Sequence, residues 1–334
     1  MKKGHFTQVC RAVGALLIVA AFSITSAHDA SAKIRIAFPD VATVEYTHFL
    51  AALDRAREKG VEIEITYFTK EELASLAVVN GDADIGVGSP FALIQKAKAP
   101  IRFFLQLSKL RFYVIVNSEF YNDWKDLDGQ EIAVHARGSG TEAVMYMMAA
   151  AHGIKFSNVS YVPGSEVRAG AMLQGNLKAT VVDSINRDLL MAKAPGKFKL
   201  LDVDSQDATN DALYANQEFL KSNAAEVDIL VEAILTTWRD IVAKPDVVSD
   251  LRAKYNILPD LTSDVLAEML PYYRDFVKEA ALPLEGGNEA SAKADLAFYG
   301  AAGSIEGDPA SLDVNDFWDF GPVNRAISKL GKAN

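Results

Sequence analysis

The stretch "GDADIGVGSPFALIQKAKAPIRFF", residues Gly81 to Phe104, decides how this chain folds. "ADIGVG" is a short apolar run of the kind that forms a strand buried on both faces of a parallel sheet. Ser89 and Pro90 then read as the N-cap and first helical position of "FALIQKAKA", because proline lacks only an N–H that the first turn leaves unpaired. "IRFFLQL" follows as another strand. Working outward, "KIRIAF" is an alternating strand, and Tyr46, Phe49, Leu50 and Leu53 form one helical stripe stopped at Gly60. "VEIEITYF" is a further strand, and Thr69 with Glu72 has the spacing of a capping box. Strand and helix alternate, so the expected class is α/β with parallel, helix-covered strands.

The order repeats without close sequence repetition. "EIAVHA", "VSYVP" and "ATVVDS" read as strands, separated by the helices "TEAVMYMMAAAHG" and "SEVRAGAMLQG" and followed by "INRDLLMAK". From about Asn216 the pattern is almost wholly helical, with "VDILVEAILTTWRDIVA" strongly amphipathic. Two α/β lobes are expected, with a cleft between them. The first is discontinuous, residues 33–117 plus 203–334, and the second, 118–202, is inserted. The strands "FYVIVN" and "DALYANQEFL" should cross between the lobes as a two-strand hinge.

The N-terminus has a different character. Lys2, Lys3 and Arg11 precede the apolar run Ala12 to Ile24, which is short for a membrane span, and Ala30-Ser31-Ala32 has the form of a cleavage site. Residues 1–32 are therefore expected to be a cleaved signal peptide and the remainder a soluble exported protein. The full chain carries a formal charge of −10. Loss of three basic residues and Asp29 leaves 31 basic against 43 acidic, or −12. Such acidity argues against nucleic acid as a partner. Cys10, the only cysteine, departs with the leader, leaving neither disulfide nor thiol nucleophile.

In open α/β sheets ligands bind beyond the carboxyl ends of the strands, where helix N-termini present unpaired N–H groups. That rule selects Asp40, Val41 and Thr43 after the first strand, and Gly88, Ser89 and Pro90 after the strand of the opening stretch. In the second half it selects Arg137, Ser139, Gly140 and Thr141 in "HARGSGTE", and Asp183 and Arg187 after "ATVVDS". Serine and threonine at a helix start are common caps, and arginine is usually a solvated surface residue. At strand ends the same residues could hold an anion through amides, hydroxyls and a guanidinium, and Asp40 or Asp183 could pair with an ammonium. No catalytic constellation appears. His48, His135 and His152 are dispersed, and no nucleophile elbow, Walker loop or dinucleotide fingerprint is present. No cofactor or metal is expected.

"NGDADIGVGSPFALIQKAKAPIRFF", "WKDLDGQEIAVHARGSGTEAVMYMMAAAHGI", "AMLQGNLKATVVDS" and "LYANQEFLKSNAAEVDILVEAILTTWRDI", in this order, resemble the substrate-binding proteins of ABC transporters of the nitrate/sulfonate/taurine type. The resemblance covers most of the chain after the leader and implies a type II periplasmic binding protein fold. It also implies a small-molecule ligand handed to a permease with a cytoplasmic ATPase by a periplasmic protein expected to be a monomer; the helix start at Ser139–Thr141 beside Arg137 leads us to expect that ligand to be organic and anionic or zwitterionic, sulfonate- or carboxylate-like. The chain departs from the family pattern at Lys178-Ala179, where aspartate-alanine is usual, and at Gln130, where lysine is common. Two other functions fit the scaffold. One is an enzyme related to pyrimidine synthases, whose chemistry uses a cysteine/histidine-rich motif that the chain after residue 32 cannot supply. The other is a binding protein that reports to a membrane sensor.

Overall fold

A computed structural model describes residues 33–203 and 208–333. The expected leader, 1–32, lies outside the described residues. Ten strands form two five-stranded sheets. The first contains β1 (Ile34–Phe38), β2 (Ile63–Tyr67), β3 (Ile85–Gly88), β4 (Ile101–Lys109) and, returning late, β10 (Thr209–Asn216), in the order β2-β1-β3-β10-β4. The second contains β5 (Tyr113–Asn117), β6 (Glu131–Val134), β7 (Asn158–Tyr161), β8 (Ala179–Val182) and β9 (Phe198–Leu201), in the order β7-β6-β8-β5-β9. In each sheet three strands run parallel, and the strand in the fourth place runs antiparallel to both neighbours. Every residue of β3 and of β8 is buried, which explains why both read as unbroken apolar runs.

The lobe boundary differs from the expected one. β5 pairs with β8 and β9, so 113–117 belong to the second sheet and the first crossing is only Leu110 to Phe112. "FYVIVN" is apolar on both faces and would suit either sheet by pattern; its hydrogen-bonding partners decide. The second crossing precedes β10, and residues 204–207 of it are not described. The two crossings are tied together, since Leu110 N donates to Ala208 O at 2.9 Å. β9 lacks a sequence signal of comparable strength; it is a four-residue edge strand with two buried positions.

The helices after β10 cover the first sheet. Helix Ala224–Ala243 buries Leu230, Ile234 and Trp238 against Thr47–Glu58, with Tyr273 from helix Ser263–Lys278 in the same core. Helix Glu289–Ala301 packs on both β10 and helix Gly140–His152. An apolar core therefore runs from Phe91 and Phe103 of the first half through Tyr299 to Met145 and Val114 of the second. The two crossing strands are not the sole link between the halves.

Local starts also differ from the sequence expectation. No capping box forms at Thr69. The helix begins at Glu71, whose carboxylate instead accepts the amide of Ser89 at 3.0 Å. Pro90, rather than Ser89, is the cap residue of a short helix, Phe91–Gln95.

Candidate functional site

The carboxyl ends of β1, β6 and β8 open into one cavity between the sheets, closed behind by the first crossing and the start of β10. The loop after β1 contributes Pro39, Asp40, Val41 and Thr43, then Glu45 and Tyr46; the end of β3 contributes Ser89. From the second half come His135, Ser139, Gly140 and Thr141, then Ser165, Glu166 and Arg168, and finally Asp183. Phe112 comes from the first crossing, and Asn210 and Asp211 from the start of β10. The cavity volume is about 130 Å3, below the roughly 300–1,000 Å3 typical of small-molecule sites.

Eight of the twelve residues selected from sequence line this cavity: Asp40, Val41, Thr43, Ser89, Ser139, Gly140, Thr141 and Asp183. Four do not. Gly88 sits behind it with φ 136°, and a Cβ there would meet Glu71 Oε1 at 2.7 Å. Its role is to let that carboxylate reach Ser89. Pro90 only starts the short helix. Arg137 is exposed, stands over the Tyr161 ring at 5.2 Å, and lines a neighbouring cavity with Lys70, Glu71 and Glu72. Arg187 points away from the site, ion-paired to Asp188 at 2.7 Å and to Asp275 and Glu279 at 3.6 Å.

At Ser139 to Thr141, where an anion is expected from sequence, the side-chain hydroxyls are engaged locally. Ser139 Oγ donates to Ala136 O at 2.7 Å and lies 2.9 Å from Thr141 Oγ1, which accepts the His135 amide at 2.9 Å. The hydroxyls serve the turn. Glu142 in the first helical turn accepts Gly138 N at 2.6 Å and the Tyr161 hydroxyl at 2.6 Å, which puts a carboxylate beside that helix start. Gly140 is needed for packing, since a Cβ would come within 2.7 Å of Leu110 at the crossing.

Sequence reasoning missed Arg168. It lies within helix Ser165–Leu173, where an isolated arginine reads as surface, yet it is 2% exposed. Its Nε donates to Val181 O at 3.0 Å, and Nη1 donates to Val162 O at 2.8 Å and Gly164 O at 3.1 Å. One guanidinium thus ties β8 to the loop after β7. Burial lowers its pKa to about 10, opposed by the charges of Asp183, Glu166, Glu45 and Asp40. Also missed were Glu45, Glu166 and Asp211, which no strand-end rule selects. Burial, reinforced by the charge of Asp183, pushes the Glu45 carboxyl well above its usual range. Burial raises Asp211 to about 6 and lowers His135.

Two parallel-stranded sheets, each completed by an antiparallel crossing strand, with a small-molecule cavity at their facing carboxyl ends, define the periplasmic binding protein fold. Solved structures agree. The chain is similar to a protein from Bordetella bronchiseptica RB50 at 22% identity, over 90% of this chain and 98% of that one, with a TM-score of 0.70. It is similar to the alkanesulfonate-binding protein SsuA from Xanthomonas axonopodis pv. citri, bound to MOPS, at 16% identity over 86% and 98%, with a TM-score of 0.62. The periplasmic nitrate-binding protein NrtA from Synechocystis PCC 6803 aligns at 11% identity over 90% and 89%, with a TM-score of 0.62. At such identities the likeness establishes the fold alone. No curated protein matches the chain by sequence. The family described as NMT1/THI5 like matches residues 47–247, and the chain belongs to it.

Proposed function

We propose that this chain is the exported solute-binding component of an ABC importer, which captures a small organic molecule in the interlobe cavity and delivers it to a membrane permease. The observation that carries this reading is the cavity itself. It is enclosed by both sheets and the first crossing and lined by polar side chains from each half, so a ligand bound there holds the halves together. Nothing along its wall resembles a nucleophile with its base, so binding, not turnover, is the function proposed. Among the described residues no helix is long and apolar enough to cross a membrane, and the export signal expected at 1–32 would place the protein in the periplasm.

Thermal-shift screening of the secreted protein against small amines, sulfonates, carboxylates and pyrimidines tests the reading, because ligand in excess of its dissociation constant stabilises the fold. A hit that is bound stoichiometrically and recovered unchanged supports it. Conversion of the hit to a product would sink it in favour of an enzyme.

A further inference from the structure

The cavity wall is acidic. Asp40, Glu45, Glu166, Asp183 and Asp211 face it, against the single guanidinium of Arg168. Arg168 spends Nε and Nη1 on three backbone carbonyls, which leaves only Nη2 to meet a ligand. His135 is held towards its neutral form by burial. Glu45 and Asp211, from the loop after β1 and the start of β10, stand opposite Asp183 at the end of β8 in the second half. Like charges are not gathered there by the packing of the fold alone, since hydrophobic neighbours would cost less.

A second, independent observation marks a missing partner. Thr43 lines the same cavity, and its Oγ1, itself buried, has no hydrogen-bond partner. Tyr46 and Phe112 also line the cavity, and ring faces attract cations. Among the described residues no three histidine, cysteine, aspartate or glutamate side chains are grouped to hold one metal ion. Carboxylates contributed by both halves suit an organic cation with several N–H donors.

We propose that the cleft takes a small organic cation, a protonated amine or amidine, held between Glu45 and Asp211 on one half and Asp183 on the other, so that closure depends on the ligand's positive charge. This rests on the solute-binding reading and replaces the anionic ligand expected from the helix start at Ser139–Thr141 and Arg137.

The test is calorimetric titration and thermal shift of the full exported chain. The cationic panel begins with agmatine, putrescine and benzylamine; the anionic panel begins with ethanesulfonate and phthalate; calcium is tested alone. Stabilisation by a cationic probe is expected. Glu45→Gln and Asp211→Asn should each weaken that probe by roughly ten- to a hundredfold, the loss of one charge-assisted hydrogen bond. Binding confined to anions, or to calcium, overturns the cation assignment and leaves solute binding standing. Absence of binding by every compound overturns both. A readout without any ligand is the melting temperature of Glu45→Gln. Relief of the clustered charge should raise it, and a fall would overturn the assignment.

Discussion

Arg187 was selected from sequence as a ligand contact, and the structure makes it a clasp between the halves; its removal should loosen closure without touching the cavity. Its guanidinium lies over the Tyr113 ring, 4.1 Å from the centroid. Both residues belong to the second half, so that stacking is kept when the cleft opens. What opening would break are the ion pairs at 3.6 Å to Asp275 and Glu279, which belong to the helix Ser263–Lys278 and its cap in the first half. Arg187 is 17% exposed, while Asp275 and Glu279 are 34% and 22% exposed. At that exposure each pair is worth about 0.5 kcal/mol. Together they contribute about 1 kcal/mol, a roughly fivefold shift in the open–closed equilibrium. Because Cys10 is the chain's only cysteine, dye-labelled Leu76→Cys/Val167→Cys, at exposed positions on opposite halves, would report closure by energy transfer. Arg187→Gln should raise the open-to-closed ratio about fivefold, and apparent ligand affinity should fall with the closed fraction. Arg137→Gln, at an exposed arginine outside the clasp, should leave the ratio unchanged. If Arg187→Gln leaves both populations as they were, the clasp reasoning is wrong.

Arg168→Met should destabilise the protein by roughly 3 kcal/mol in urea unfolding, since three charge-assisted bonds to buried carbonyls are lost; a loss below about 1 kcal/mol would contradict the strut assignment. Gly88→Ala combines φ 136° with a Cβ 2.7 Å from Glu71 Oε1, and should cost about 2 kcal/mol by the same measurement. The ligand-free protein should also be more stable in mild acid. Asp211 is raised to about 6, and Glu71 and Asp295 to about 7, chiefly by burial. Between those values and the lower pKa of the unfolded chain, the native state holds more protons, so unfolding becomes harder as pH falls through 7 to 5. Scanning calorimetry should give a higher melting temperature at pH 5.5 than at pH 8, and Asp295→Asn should flatten the difference; a melting temperature that rises towards pH 8 would refute the sign.

The alternation of buried apolar runs with amphipathic helices was enough, without coordinates, to determine an α/β chain with two similar units and a cleft at their strand ends. Periods of two and of 3.6 residues are local properties, and the glycine, serine and aspartate that follow each strand are adjacent in sequence to it. Asp40, Thr43, Ser139 and Asp183 were legible for that reason. Sheet membership was not, because β5 is apolar on both faces and only its pairing with β8 and β9 assigns it to the second half. Charge was not legible either. Glu45 and Asp211 lie 166 positions apart, and neither has a motif; only the crossing strands bring them to one wall opposite Asp183. Arg168 and Arg187 look alike on paper, as single arginines near strand ends. Tertiary packing buried the first among carbonyls and turned the second towards Asp275 and Glu279, because a side chain's role depends on the surfaces folded against it, and those come from distant parts of the chain.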